Sequence, residues 1–300
     1  MFKSSFLISC FLIGLFFVSL SQEQSSKKGG SKIKVLIIDG QNNHTNWRET
    51  TILMKGYLEE TGLFDVEIAT TPPVNGDMNN FRPDFTKYKV ILSNYNGADW
   101  PDTTKKNFEN FIKKGGGLVA IHAASNAFPN WIEYNKMIGL GGWGNRDEKS
   151  GPYVYYDEAQ EKIIKDYSPG RAGAHGPEYP FQITIRNKTH PITKGMPSIW
   201  MHEKDELYSS LRGPAENMEV LATAFSRLDQ RGTGRNEPIM MAIHYKKGRI
   251  FHTTLGHGTY SQKGIGFITV LQRGAEWVAT GRVTQQIPVN FPAAEIGRNK

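Results

Sequence analysis

Short apolar runs alternate with stretches of helical spacing over the first half of the chain. Residues 33–38 form an apolar, β-branched run that ends at Asp39-Gly40, a pattern typical of a buried parallel strand. The same reasoning predicts strands at 64–69, 88–92 and 118–121 and helices at 47–61 and 101–112, with Gly115-Gly116-Gly117 ending the second helix. This order of elements predicts an α/β fold with a doubly wound, mostly parallel sheet.

The second half is less regular and predicts an elaborated C-terminal half. Residues 139–180, called the excursion below, are rich in Gly, Tyr and Pro without a period, and we expect them to cross the active face. Beyond them the pattern predicts strands at 181–186, 218–225, 238–245 and 249–254, a turn at 246–248 and a helix at 267–280. Residues 282–300 are predicted to be a C-terminal tail.

The N-terminal residues have the pattern of an export signal. Lys3 precedes an apolar run over residues 6–20, and the small residues Ser19 and Ser21 favour cleavage before Gln22. We therefore predict a signal peptide over residues 1–21, a flexible linker over 22–32, and a periplasmic or secreted protein without membrane attachment after cleavage. An uncleaved anchor and a lipoprotein modified at Cys10 are the alternatives.

Composition narrows the chemistry further. Cys10 is the only cysteine, so the mature chain would have no disulfide, thiolate metal site or cysteine nucleophile. The net charge of +7 comes partly from lysines near residues 27–34, and no basic run with interleaved aromatic residues predicts nucleic-acid binding. The phosphate-binding glycine patterns and the G-x-S-x-G elbow are absent. No signal sets the oligomeric state.

Polar residues follow the predicted strands where ligands bind in open parallel sheets. We predict His122 and His257 as proton-transfer residues with Asp205 or Glu206 assisting them, because imidazole titrates near neutral pH. The predicted substrate-binding residues are His44, Trp47, Asn94, Ser125, His202 and Tyr208. Each histidine could instead serve only the fold, which is the interpretation adopted for His175, His190, His244 and His252.

Two other ligand types fit this composition. Imidazole and carboxylate groups suit zinc and similar ions, but no closely spaced helical pair of ligands occurs, so no cofactor is predicted and a divalent metal remains an alternative. Aromatic residues in the glycine-rich loops could pack on sugar rings or simply fill the core. The aromatic residues expected near the strand ends, several of them in such loops, are Trp47, Trp100, Trp131, Trp143, Trp200, Tyr153, Tyr155 and Tyr156.

Three stretches of the chain form a recognisable set in their order and spacing. They are GGGLVAIHAA at 115–124, HPIT at 190–193 followed by DELY at 205–208, and GRIF at 248–251 leading to LGH at 255–257. On these stretches the chain resembles the ThuA-like (trehalose utilisation) family over residues 33–281. The resemblance implies a flavodoxin-like fold of the class I glutamine amidotransferase-like superfamily. His122 stands where amidotransferases carry their cysteine, so glutamine amidotransferase activity is not expected.

The resemblance also implies sugar metabolism, with 3-keto-glycosides as a substrate class. The leading hypothesis is an exported enzyme that isomerises, hydrates, cleaves by elimination or hydrolyses a small-molecule carbohydrate. A non-catalytic sugar-binding or accessory protein and a metal-dependent hydrolase are the alternatives. Family members tend to have a His-Pro soon after the Gly-Gly that follows the fourth strand. This chain has the Gly-Gly but lacks the His-Pro. His175-Gly176-Pro177 could replace that contact, or the contact is lost.

Overall fold

The computed structural model describes residues 1–2 and 31–297, and the chain divides into residues 1–31 and residues 32–300. The predicted signal peptide, apart from its first two residues, and nearly all of the predicted linker lie outside the described residues. Within the described part, none of the helices combines the length and the apolar character needed to cross a bilayer. The following description concerns residues 32–297.

The structure contains thirteen strands and five α-helices. The strands are β1 (Ile33–Asp39), β2 (Phe64–Thr70), β3 (Val90–Ser93), β4 (Gly117–Ile121), β5 (Tyr153–Asp157), β6 (Lys162–Asp166), β7 (Ala174–His175), β8 (Tyr179–Ile185), β9 (Ile199–Asp205), β10 (Tyr208–Ser209), β11 (Met218–Phe225), β12 (Asn236–Tyr245) and β13 (Gly248–Thr253). The helices are α1 (Trp47–Glu60), α2 (Asp102–Lys113), α3 (Ile132–Ile138), α4 (Thr259–Gln262) and α5 (Ile265–Thr280).

Five parallel strands form the first part of the sheet in the order β2-β1-β3-β4-β13. This is the flavodoxin-like order, with β13 in the fifth position. Val35 pairs with both Val66 and Val90, which places β1 between β2 and β3. The predicted flavodoxin-like α/β fold is confirmed.

Both faces of the parallel strands are buried, as continuous apolar runs require. Val35 and Ile37 face the core formed with α1 and α5, whereas Leu36 and Ile38 face the core formed with α2 and α3. Successive side chains on a strand point to opposite faces, so one apolar run fills two cores. The result is a three-layer arrangement that fixes the strand ends.

Antiparallel strands extend the sheet beyond β13, in the order β12-β11-β8-β9. The elaborated C-terminal half is therefore present. The excursion, for which the pattern predicted no elements, contains the β5–β6 hairpin and β7. Strand β9 was also not predicted. The chain after α5 packs along it, with the Met201 amide donating to the Ala293 carbonyl at 2.8 Å.

We use the name middle segment for residues 139–212, which run from the excursion through β10. Two buried arginines hold it. Arg212 donates to the carbonyl oxygens of Gly151, Ser168 and Gly170 at 2.7–2.9 Å. Arg146 donates to the carbonyl oxygens of Ala127 and Gly142 at 2.7 Å. Hydrogen bonds from these two side chains to backbone carbonyl oxygens thus fix the loops of this segment. In the parallel part, hydrogen bonds between strands fix the backbone.

Candidate active site

A cavity of about 420 Å³ opens at the carboxyl ends of the parallel strands, between the ends of β1 and β3 where the strand order reverses. One part of its lining follows strand ends: Asn43, His44, Asn96 and His257. The rest comes from the turn after β4 and the middle segment: Asn126, Trp143, His175, Glu206 and Tyr208. A wider groove of about 640 Å³ beside Tyr179 and Phe225 carries no histidine.

His122 stands directly after β4, with a positive φ of 42° at the start of the short 3₁₀ helix His122–Asn126. Its Nδ1 lies 2.6 Å from the Thr254 carbonyl oxygen, which can only accept, so Nδ1 carries the proton. Its Nε2 is buried and has no hydrogen-bond partner among the described residues. That atom lies 3.5 Å from Glu206 Oε2.

His257 is oriented from two sides. Its Nδ1 lies 2.9 Å from Glu178 Oε1, and its Nε2 lies 3.6 Å from Glu206 Oε1. Its backbone amide donates to Asp205 Oδ1 at 3.0 Å. An ionised Glu178 accepts the Nδ1 proton, which leaves Nε2 as the basic nitrogen toward Glu206.

Glu206 is the carboxylate between these imidazoles. His175 Nδ1 also approaches it, at 3.4 Å from Oε1. Burial acts to raise the pKa of Glu206, but His122 and the two other nearby imidazoles outweigh it and hold the pKa below its ordinary value. Glu206 is therefore an ionised group suited to stabilising a protonated histidine.

His44 completes the cluster from the end of β1. Its ring centroid lies 5.0 Å from that of His122 and 4.5 Å from that of His257. Its Nδ1 lies 3.0 Å from Asn42 Oδ1. Burial, followed by the charges of the two other histidines, lowers the pKa of His44 to about 3. His44 is thus neutral at physiological pH and can donate or accept hydrogen bonds without changing charge.

Asp205 lies beneath the cavity and does not line it. It accepts from His202 Nε2 and the Gly256 amide, both at 2.8 Å, as well as from the His257 amide. Burial acts to raise the pKa of Asp205, but the bond and charge of His202 outweigh it and keep the carboxyl ionised. The pair Asp205 and His202 holds the loop that carries His257, which is a positioning geometry.

A family model for trehalose utilisation, ThuA, matches residues 34–278. The chain belongs to the ThuA family. A ThuA-like protein from Parabacteroides merdae is 43% identical, with 90% of this chain and 98% of that chain covered and a TM-score of 0.87. A ThuA-like protein from Bacteroides uniformis is 19% identical over 84% of this chain and 93% of that chain, with a TM-score of 0.57, and shares the fold. No curated protein matches the chain.

Four residues predicted to bind substrate do not line the cavity of this ThuA-family chain. His202 is one of them, because it is buried against Asp205 as described above. Asn94 Nδ2 donates to Thr50 and Thr51 at 3.1 and 3.0 Å and so joins the end of β3 to α1. Ser125 is fully buried and donates to Asn126 Oδ1 at 3.1 Å. Trp47 packs against the guanidinium of Arg48, 4.6 Å from the ring centroid.

Sequence reasoning missed several residues that the turn after β4 and the middle segment bring to the site. Glu178 and Asn126 were not considered, and Trp143 was considered only as one aromatic residue among many. His175 was interpreted as structural, yet its ring lines the cavity. The HGP stretch at 175–177 was the one available signal, as a replacement for the His-Pro of the ThuA family, and it does bring an imidazole to Glu206.

The donor set also fits a metal ion. One ligand atom each of His44, Glu206 and His257 lies within 4.8 Å of the others. The Nδ1 atoms of both histidines face oxygen atoms, of Asn42 and Glu178, an outer-shell arrangement typical of metal-binding histidines. His44 Nε2 also lies 3.4 Å from the Asn43 side-chain nitrogen. Two imidazoles and a carboxylate grouped in this way can be bridged by a proton, a donor group or a divalent cation.

Proposed function

We propose that this ThuA-family chain is an exported enzyme that acts on a sugar or 3-keto-glycoside by histidine proton transfer. The observation that supports this most strongly is the convergence of His122 Nε2 and His257 Nε2 on the Glu206 carboxylate. Glu206 and His257 line an open cavity, and His122 is buried directly behind them. Each Nδ1 is held by an oxygen, so the tautomer that presents a basic Nε2 is favoured on both rings.

A carbonyl at C3 of a glycoside acidifies the C–H bond at C2. In the proposed chemistry His257 Nε2 accepts that proton, and the electron pair moves into the enolate. Return of the proton to C3, while the O2 proton passes to O3, isomerises the sugar. Alternatively, the proton taken by His257 passes through Glu206 and His122 to the oxygen of the group at C1, whose departure completes an elimination. Glu206 stabilises whichever imidazole is protonated, so the step costs little reorganisation.

The test is a screen of purified protein against 3-keto-glycosides and their parent sugars in D₂O, followed by NMR. We expect loss of the C2 proton signal and appearance of product with the wild-type protein. His257→Ala and His122→Ala should abolish both, whereas His244→Ala, an exposed histidine on β12, should change neither. Full activity of His257→Ala would contradict the proposal. Sugar binding without exchange or turnover by the wild type would replace it with a binding role.

A metal-dependent hydrolase is the second candidate, favoured by the grouping of possible ligand atoms of His44, Glu206 and His257 within 4.8 Å of one another. A bound divalent ion such as zinc would supply a Lewis acid and an activated water. His44, with its pKa lowered to about 3, remains a neutral ligand down to acidic pH. Elemental analysis of the purified protein tests this candidate. Stoichiometric metal that is lost in His44→Ala would favour it, and full activity in a metal-free preparation would exclude it.

A further inference from the structure

Trp143 differs from the other tryptophans of the chain in where its ring lies. Four indoles are buried in the cores: Trp100, Trp131, Trp200 and Trp277. Trp47 packs against Arg48 outside the cavity. Trp143 is partly exposed and lines the cavity, in which Glu206 and His257 also lie. Its aromatic surface is therefore available to a ligand.

The backbone of Trp143 is in a conformation that tryptophan rarely adopts. Its φ is 53°, in the left-handed region, where a bulky side chain is an outlier and a cost of about 1–2 kcal/mol is typical. Glycine would adopt this φ without strain, and it occupies both neighbouring positions, 142 and 144, but position 143 is a tryptophan. Such strain persists only where the surroundings over-determine it, and it is common at ligand sites.

The surroundings do fix this residue. The Trp143 amide donates to the Ala172 carbonyl at 2.9 Å, and the Trp143 carbonyl accepts from the Arg146 amide at 3.0 Å. Arg146 itself is buried, and its guanidinium donates to the Gly142 carbonyl at 2.7 Å. The indole lies against Gly173, where an added Cβ would come within 2.7 Å of Cδ2 and Cε3. The ring is thus held rigidly rather than by a mobile loop.

The ring is also next to the proton-transfer groups. Tyr208 contacts Trp143 edge-on at a centroid distance of 4.8 Å, and the same tyrosine lies 4.1 Å from His122. Three carboxamides line the same cavity, those of Asn43, Asn96 and Asn126. A rigid aromatic surface, several hydrogen-bonding amides and a proton-transfer cluster together suit a ligand with one apolar face and many hydroxyl groups.

We infer that Trp143 is the platform on which the substrate ring stacks, and that the ligand is a pyranoside with one face free of axial hydroxyl groups. The C–H bonds of that face pack on the indole, and the hydroxyl groups at its edge reach the carboxamides. This inference rests on the proposed function for its ligand class. It adds the subsite that places the reacting carbons beside His122 and His257.

The test measures binding and turnover separately. Isothermal titration calorimetry with methyl β-D-glucopyranoside and its C3-oxidised form gives the affinity. Trp143→Ala should weaken binding about tenfold or more, which corresponds to about 1.4 kcal/mol, and Trp143→Phe should restore most of it. In turnover, Trp143→Phe should raise KM and leave kcat nearly unchanged. Tyr167→Ala, an exposed aromatic residue of the excursion, is the matched control and should change neither quantity.

The outcomes separate this inference from the proposed chemistry. His257→Ala should lose turnover but keep the binding that depends on Trp143. If Trp143→Ala binds both glycosides as tightly as the wild type, or if the wild type binds neither, the platform is refuted. If His257→Ala remains fully active while Trp143→Ala loses binding, the platform stands and the proton-transfer proposal fails. Circular dichroism and the unfolding midpoint of each variant show that the fold is retained.

Discussion

The parallel strands and the middle segment both reach the cavity, but different forces hold them there. His44, His122 and His257 follow strands whose side chains are buried on both faces and whose backbones are paired on both sides. Trp143 and His175 lie on a chain that is held by guanidinium groups bonded to carbonyl oxygens. The first region fixes positions through apolar burial, and the second through a few buried polar bonds.

This difference has consequences for robustness. Apolar burial is spread over many residues, so one substitution removes only part of it. A buried arginine that donates to three carbonyl groups stabilises its segment through a single side chain. Its loss leaves all three acceptors without that donor. We therefore expect the parallel part to define the fold and the middle segment to define the site, with the second being easier to disrupt.

The largest expected effect concerns the carboxylate that the middle segment contributes. Glu206→Gln removes the charge that stabilises a protonated His122 or His257, so kcat should fall about 10²–10⁴-fold, the usual range for a proton-transfer group. Steady-state kinetics on the substrate found in the screen measures it. Glu161→Gln, an exposed glutamate of the excursion, should retain wild-type kcat. A folded Glu206→Gln variant within threefold of wild type would contradict this role.

The next largest effect concerns Arg212, which holds the middle segment in place. Arg212→Met should lower the free energy of unfolding by about 3–5 kcal/mol, because three partly buried carbonyl oxygens lose their charged donor. Urea denaturation measures the loss, and hydrogen exchange should show it first in β7 and β10. Arg282→Met, at an exposed position, should stay within about 0.5 kcal/mol of wild type. Equal stability of the two variants would refute the pinning role.

The pH dependence of stability tests how strongly the parallel part buries its polar side chains. His252 on β13 is fully buried, and burial lowers its pKa to about 4 from an ordinary 6.5. Between those values the unfolded chain binds a proton that the folded chain does not, so stability is complete above about pH 6.5 and falls toward pH 4. The full loss is about 3 kcal/mol. Unfolding free energies across this window should decline less steeply in His252→Gln, and an unchanged slope would exclude His252 as the cause.

The smallest expected effect is at the rim of the parallel part. Asn96 Oδ1 accepts from the Asn43 amide at 3.0 Å in a partly exposed position. Asn96→Ala should therefore cost only about 0.5–1.5 kcal/mol of stability. Asn80→Ala, at an exposed position outside the cavity, is the control. A loss as large as that of Arg212→Met would show that the rim, too, depends on single polar bonds.

The sequence allowed the parallel part to be predicted because its signal is local. The run at 33–38 predicted β1 to within one residue, and the strand-end rule then selected His44, His122 and His257. The rule identifies the edge of the sheet at which a residue lies but not the direction of its side chain. For this reason it grouped Asn94 and Ser125 with the site, although their side chains point into the interior of the fold.

Apart from β8, the middle segment could not be predicted in the same way. Its contribution depends on contacts between distant residues, such as Arg212 with Ser168, that leave no periodic pattern in the sequence. Asp205 shows an intermediate case. Its residue type suggested proton transfer, but β9 places it beneath the cavity against His202, and only the pairing of β8 with β9 reveals this. Sequence reasoning thus identified the residue but not its surroundings.

A double-mutant cycle tests most directly whether the two regions form one catalytic unit. The value of kcat/KM is measured for wild type, His257→Ala, Glu206→Gln and the double variant on the substrate found in the screen. Groups that act together are strongly non-additive, so the double variant should be no worse than about threefold below the poorer single variant. If the two losses multiply, the histidine of the parallel part and the carboxylate of the middle segment act independently, and the shared site does not exist.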